Sequence, residues 1–291
     1  MIALTIALAV FVGVALGLLG GGGSILTVPL LAYVAGMDAK QAIATSLLVV
    51  GVTSAVGAIS HAQAGRVQWR TGLIFGSAGM AGAYLGGVLA RFIPGSVLLI
   101  GFALMMIATA IAMLRGRKDV AAPDATHRMP VPKILAEGLV VGLVTGLVGA
   151  GGGFLVVPAL ALLGGLPMPI AVGTSLVVIA MKSFAGLGGY LSSVHINWTL
   201  ALAVTAAAVL GALIGARLTA LVDPDALRKT FGWFVLLMSS VILAQEVHLA
   251  VGIAAAALTA IAAGMYLACN RNGFCPLRRL VGGPRDRAAT G

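Results

Sequence analysis

The sequence predicts an all-α membrane protein of two inverted repeats, each a re-entrant or broken helical hairpin plus three transmembrane helices, with one extra C-terminal helix. Composition, an internal repeat and the distribution of charge among loops predict this. Of 291 residues, 60% are hydrophobic and 9% charged, whereas a soluble domain carries roughly 25% charged residues. Most of the chain therefore faces lipid or packs inside a bundle. Gly supplies 41 residues, which suits helices that approach closely where packing drives association. Eighteen basic residues against eight acidic give +10, an excess that membrane proteins keep in cytoplasmic loops. No stretch mixes basic and aromatic residues as a nucleic-acid face does, so nucleic acid is not an expected partner.

The N-terminal stretch has the apolar run of a signal peptide. It lacks a positive n-region and an Ala-x-Ala-like site, and a related segment recurs deep in the chain, so it is read as part of the fold.

The repeat is ungapped at an offset of 129 residues. Gly17-Leu18-Leu19-Gly20-Gly21-Gly22-Gly23 leads to Pro29, and Gly146-Leu147-Val148-Gly149-Ala150-Gly151-Gly152 leads to Pro158. In that register Thr45-Ser46-Leu47 falls on Thr174-Ser175-Leu176, Ser54 on Ser183, Trp69 on Trp198, Gly82 on Gly211 and Gly86 on Gly215. The expected organisation is a first repeat at 1–114, a basic cytoplasmic linker at 115–133, a second repeat at 134–245, and an extra transmembrane helix with a basic tail at 246–291. The linker holds Arg115, Arg117, Lys118, Arg128 and Lys133 with three prolines and cannot cross a bilayer.

A crossing needs about 20 apolar residues. This predicts spans at 41–62, 72–92 and 97–114 in the first half, and at 170–192, 199–220 and 227–244 in the second. The segments 2–36 and 134–163 are longer, and each is broken by its glycine cluster. Each can cross once, kinked, or form a hairpin that returns to its starting side. A final apolar segment at 249–268 has no counterpart in the first half. A cytoplasmic linker puts Arg66 and Arg70 inside. The hairpin option then also places Arg228, Lys229 and the tail arginines inside and leaves the loop at 193–198, free of Lys and Arg, outside; a single crossing reverses all three. The loop-charge rule favours the hairpin, and with it oppositely facing repeats whose site lies between them. The expected location is a bacterial inner membrane, multi-pass, with linker and C-terminus cytoplasmic.

Non-helical backbone is tolerated at membrane depth only where protein buries it or water reaches it. The breaks at Gly21, Gly22, Gly23 and Ser24 and at Gly151, Gly152 and Gly153 therefore mark the interior or a cavity. A helix restarting there offers free N–H groups and a positive dipole end to an anion. The bland alternative is that the glycines only permit tight packing and Ser24 only caps a helix. Neither copy has the Gly-Lys-Ser/Thr ending of a P-loop.

The chain resembles the TauE/SafE family of sulfite exporters and related membrane permeases. The resemblance covers about 1–245. It rests on Gly-Leu-x-Gly-x-Gly-Gly leading to Val28-Pro29-Leu30 and Val157-Pro158-Ala159, on Ala44-Thr45-Ser46 and Gly173-Thr174-Ser175, and on the duplicated layout. It implies transport of a small anion such as sulfite, a sulfonate or a related organic anion, by export.

The helix after each hairpin carries most of the polar chemistry. Thr174, Ser175, Lys182 and Ser183 lie on 170–192, and Thr45, Ser46, Thr53 and Ser54 on the equivalent helix, with Thr53 in place of the lysine. Ser175 and Lys182, seven apart, share a face. A lysine near a span centre costs roughly 2.5–3.5 kcal/mol on insertion scales, so it should face the interior and have a partner. One positive charge flanked by hydroxyls can cradle sulfite or a carboxylate; otherwise Lys182 is structural, bonded to carbonyls freed by a broken helix. His61, Tyr190 and His195 lie near span ends, and either histidine can carry a coupled proton. A coupling proton or cation, membrane lipid and a homodimer partner are the other expected associations.

No acidic residue falls near a span centre, and ligands of the kinds that select divalent metals are not concentrated in the spans. That argues against the alternative of a metal-cation transporter. No nucleophile–base pair suggests an enzyme, and no cofactor is expected. Cys269 and Cys275 leave open a membrane module that responds to thiol or sulfur status. Two ligands make no closed zinc site.

Overall fold

The computed structural model describes residues 2–19, 22–114, 131–149, 156–157, 160, 166, 168–218, 224–248 and 250–260. All its regular elements are helical. The first hairpin comprises α1 (Ile2–Leu19) and α2 (residues 22–34). Then come α3 (Ala39–Gln63), α4 (Trp69–Leu89, extended by a 3-10 turn at Ala90–Phe92) and α5 (Gly95–Leu114). The second half supplies α6 (Val131–Val148), α7 (Met168–Leu191), α8 (Trp198–Leu218) and α9 (Pro224–Glu246), and a short apolar helix α10 (Ala250–Ala260) follows.

Five helices among the described residues are long and apolar enough to cross a membrane: Ala39–Gln63, Trp69–Phe92, Gly95–Leu114, Ile170–Leu191 and Trp198–Leu218. They coincide with five of the expected spans. The sixth, at 227–244, lies on α9, which is 23 residues long. Of the expected 249–268 span, only 250–260 lies within the described residues. Of the expected linker at 115–133, residues 115–130 lie outside them, as do Cys269 and Cys275, and residues 131–133 open α6.

Local chemistry sets the breaks. α2 starts as a 3-10 turn (Gly22–Leu26), passes through one α turn (Thr27–Pro29) and ends as a π turn (Leu30–Val34). Pro29 has no N–H and disturbs an i→i−4 ladder. Beyond it the ladder widens, with Ala35 N–H donating to Leu30 O at 3.0 Å, five residues back as a π turn requires. α3 is capped by Asp38, whose carboxylate accepts from Lys40 N–H at 3.2 Å. α6 stops at Gly149, which has φ +76° and donates its N–H to Thr145 O at 2.9 Å, a left-handed glycine cap. A Cβ there would collide with the side chain of Ile43 on α3, so the second glycine cluster ends its helix against the first half.

The two repeats exchange helices. α1 packs on α8 and α6 packs on α4, and the contacts correspond residue for residue. Gly13 and Gly17 abut the backbone at Ala208 and Ala212; Gly142 and Gly146, 129 residues later, abut Gly79 and Ala83. In both pairs the contacting numbers rise together, so the helices run parallel. α4 and α7 also run parallel, from Gly72 against Thr174 to Gly87 against Gly189. α3 and α7 cross in the opposite sense: Leu47 touches Gly186, Phe184 lies 3.2 Å from a Cβ placed on Gly51, and Leu176 3.5 Å from one on Gly57. The equivalent helices α3 and α7 therefore run in opposite directions.

The loops sort into two ends. At one, Lys40 Nζ donates to Arg91 O and Gln41 Nε2 to His195 O, each at 3.0 Å, and Tyr33 Oη donates to Glu246 Oε1 at 3.1 Å. At the other, Gln68 N–H donates to Thr174 Oγ1 at 2.9 Å. The loop at 193–198 thus shares an end with 37–41.

Candidate functional site

The crossing helices α3 and α7 together carry half of the described buried polar side chains. Lys182 is 1% exposed, although it lies within a helix able to span a membrane. Its Nζ donates to Thr145 Oγ1 on α6 at 3.2 Å. Thr145 can serve as acceptor because its own hydroxyl donates backward, to Val141 O at 2.8 Å or Gly142 O at 3.1 Å. No carboxylate among the described side chains pairs with Lys182. Asp38 caps α3 and Glu246 accepts from Tyr33.

Several buried hydroxyls have no partner. Ser183, next to Lys182, is 0% exposed, and its repeat counterpart Ser54 is 2% exposed. Neither Oγ is hydrogen-bonded, nor are Thr27 Oγ1 and Thr45 Oγ1. Leaving a buried hydroxyl unpaired costs about 1–3 kcal/mol, and most buried polar atoms in proteins are satisfied. Two equivalent serines unpaired in both repeats therefore point to something other than protein as their partner. Thr53 differs: its hydroxyl is committed to Val49 O at 2.8 Å, with Val50 O at 3.1 Å.

The remaining expected site residues spread along the bundle. Gly21, Gly151, Gly152 and Gly153 lie outside the described residues. Gly22 and Gly23 open the 3-10 turn of α2, and Ser24 within it is fully buried. Thr45 and Ser46 are fully buried; Ser46 Oγ donates to Gly149 O at 2.9 Å and so ties α3 to the tip of the second hairpin. Thr174 accepts from Gln68, and Ser175 Oγ donates to Val172 O at 2.7 Å. Ser175 and Lys182, two turns apart at ~1.5 Å per residue, sit at different depths. Thr53, Lys182 and Ser183 lie in the middle stretches of α3 and α7, with the Lys182 side chain reaching α6 at Thr145 and passing Gly79 of α4, while Ser46, Thr174 and Ser175 bind backbone towards the two ends.

Tyr190, read from the sequence as a residue near a span end, is fully buried, and its hydroxyl donates to Leu147 O at 2.6 Å. Thr145 is not among the residues that the sequence singles out. One signal points to it. The repeat pairs Lys182 with Thr53 and Thr145 with Leu16, so the two copies depart in polarity at two positions that touch each other.

The family described as Sulfite exporter TauE/SafE matches residues 5–242. A Xylella fastidiosa (strain Temecula1) protein named "Probable membrane transporter protein" is 38% identical over 77% of this chain and 88% of its own length. The Bacillus subtilis protein named "Probable membrane transporter protein YunE" is 28% identical over 73% and 86%. One from Methanocaldococcus jannaschii, "Probable membrane transporter protein MJ0441", is 31% identical over 65% and 74%. No solved structure matches the chain. A multi-pass helical bundle with this match along nearly all of both repeats is a membrane transporter protein of the TauE/SafE family.

Proposed function

We propose that the protein is a secondary transporter, working as an exporter in the bacterial inner membrane, of a small anion such as sulfite, a sulfonate or a related organic anion. The anion binds where α3 and α7 cross. The observation that carries this reading is Lys182, buried to 1% exposure without a carboxylate partner and beside the free hydroxyl of Ser183. An intramembrane cation is costly to insert, and such residues mark substrate pathways. Satisfying it with one neutral threonine leaves its charge uncompensated, and an anion supplies the missing charge. Ser183 and Ser54 each retain a hydroxyl proton to donate, and charge-assisted bonds of this kind are the stronger class.

The opposite course of equivalent helices is what an inverted duplication requires, and it supports a site shared between repeats near the midplane. In this reading the glycine clusters act mainly at close approaches, since Gly149 closes α6 against Ile43 and Ser46.

The test is flux in reconstituted vesicles with labelled sulfite and labelled sulfoacetate, compared with labelled nickel. Wild type is expected to carry an anion and not the metal. Lys182→Met is expected to insert normally and lose transport; unchanged flux in that variant would remove Lys182 from the site.

A further inference from the structure

Beside the crossing, α1, α3 and α8 leave an open cleft of about 100 Å³, the liquid volume of about three waters. Its wall on α3 includes Thr53, Ser54, Ser60 and His61; Leu16 closes it from α1 and Ala216 from α8. No lining residue is acidic. Two of its polar atoms are buried and without any hydrogen bond, Ser54 Oγ and His61 Nδ1. They lie seven residues apart, on one face of α3, with Ser54 at the level of the crossing and His61 near the helix end. Arg66 N–H donates to His61 O at 2.9 Å, which sets the basic loop between α3 and α4 at that end.

The repeat offers an internal control. Ser54 and His61 correspond to Ser183 and Tyr190, and the α3–α8 pair corresponds to α7–α4. On the α7 side the equivalent helices are in close contact. A Cβ on Gly186 would lie 3.5 Å from Ala83 O, one on Gly188 3.9 Å from the Tyr84 ring, and one on Gly189 3.0 Å from Gly87 Cα. Tyr190 Oη is bonded across to Leu147 O. Gly57, the counterpart of Gly186, has only Leu176 within 4 Å and nothing of α8. The same pair of helices is thus closed in one repeat and parted in the other, and in the parted pair Ser54 and His61 line the gap.

We infer that the α3–α8 cleft is an anion subsite on the path to Lys182, with Ser54 Oγ and His61 Nδ1 as its two hydrogen-bond donors, and that the Ser183–Tyr190 position is its closed twin. This rests on the reading of the protein as an anion transporter. The ligand is a small oxyanion with at least two acceptor oxygens, bridging the hydroxyl and a ring N–H in the Nδ1 tautomer. The spacing of two helical turns, ~10 Å along the axis, makes the bridge either one carboxylate-bearing sulfonate or an oxyanion with a water.

The experiment uses the full chain with Cys269→Ser and Cys275→Ser, and a single probe thiol from Ser60→Cys at the exposed rim. Sulfoacetate serves as the anion because, unlike sulfite, it does not add to maleimides. A membrane-impermeant maleimide applied to the face bearing Arg66 should label the thiol, and sulfoacetate should slow labelling at least threefold. Adding Ser54→Ala or His61→Leu should raise the protecting concentration about tenfold or more, the loss expected for one bond to an ion. Normal elution in size-exclusion chromatography shows that each variant is folded. No labelling of the probe thiol, or labelling that sulfoacetate does not slow while wild type still carries it, would overturn the subsite. Protection in a protein that carries neither sulfite nor sulfoacetate would keep the subsite and sink the transport reading.

Discussion

Ser183 and Thr145 have opposite relations to Lys182, and their substitutions should separate function from stability. Ser183 Oγ is buried and unpaired, a burden of about 1–3 kcal/mol in the ligand-free protein. Ser183→Ala should therefore leave the melting temperature in detergent unchanged or raise it, while flux of the carried anion falls roughly tenfold. A lowered melting temperature with normal flux would show that the hydroxyl supports the fold instead. Thr145 is the protein acceptor for Lys182 Nζ. Thr145→Val keeps the shape and removes the acceptor, and should destabilise by about 1.5–3 kcal/mol, as bonds to charged groups do. Adding Lys182→Met removes the charge that the valine leaves stranded, so the double substitution should recover most of the loss. Additive melting shifts in that cycle would mean the two residues are uncoupled. Lys182 and its serine neighbour were legible in the sequence because polar groups in an apolar span announce themselves. Thr145 was not, because a lone threonine in an apolar helix usually bonds its own backbone and only the folded chain shows what its lone pairs face.

At the scale of helices, glycines at matched positions govern the assembly. Gly82 abuts Leu139 O and Gly211 abuts Val10 O, so the pairs α4–α6 and α8–α1 meet backbone to backbone. A side chain at either position must push two helices apart against carbonyls that cannot move aside. Gly82→Val and Gly211→Val should each abolish recovery of folded protein, measured as the monodisperse fraction after solubilisation. Gly101 lies on α5 with nothing within 4 Å of its ideal Cβ. Gly101→Ala should be neutral or stabilising by about 0.5–1 kcal/mol, the ordinary helical gain over glycine. Equal damage at all three positions would deny the close approaches their special role. The register of Gly82 with Gly211 and Gly86 with Gly215 was readable as repetition, and so were the spans, since hydropathy and length alone fix them. The exchange by which α1 joins α8, and α6 joins α4, was not readable. Spacing within a helix shows which face is small but not which other helix meets it.

For the whole molecule, the loop charges and the contacts make independent statements about which loops share a face. The charge rule puts Arg66 and Arg70 with the basic linker and leaves 193–198, which has no Lys or Arg, on the opposite face. The contacts tie His195 to Gln41 and Arg91 to Lys40, and separately tie Gln68 to Thr174. Neither line uses the other, yet both group 193–198 with 37–41 and separate it from 64–68. An even number of crossings between 64–68 and 193–198 would contradict both. The prediction follows from single cysteines introduced by Ser96→Cys, Ser193→Cys and Gln68→Cys in a chain with Cys269→Ser and Cys275→Ser. In intact spheroplasts an impermeant maleimide should label the probes at 96 and 193 and spare the probe at 68 until the membrane is permeabilised. Labelling of 68 together with 193 would place both loops on one face, remove the second hairpin's return, and with it the opposed repeats on which a shared site between α3 and α7 depends.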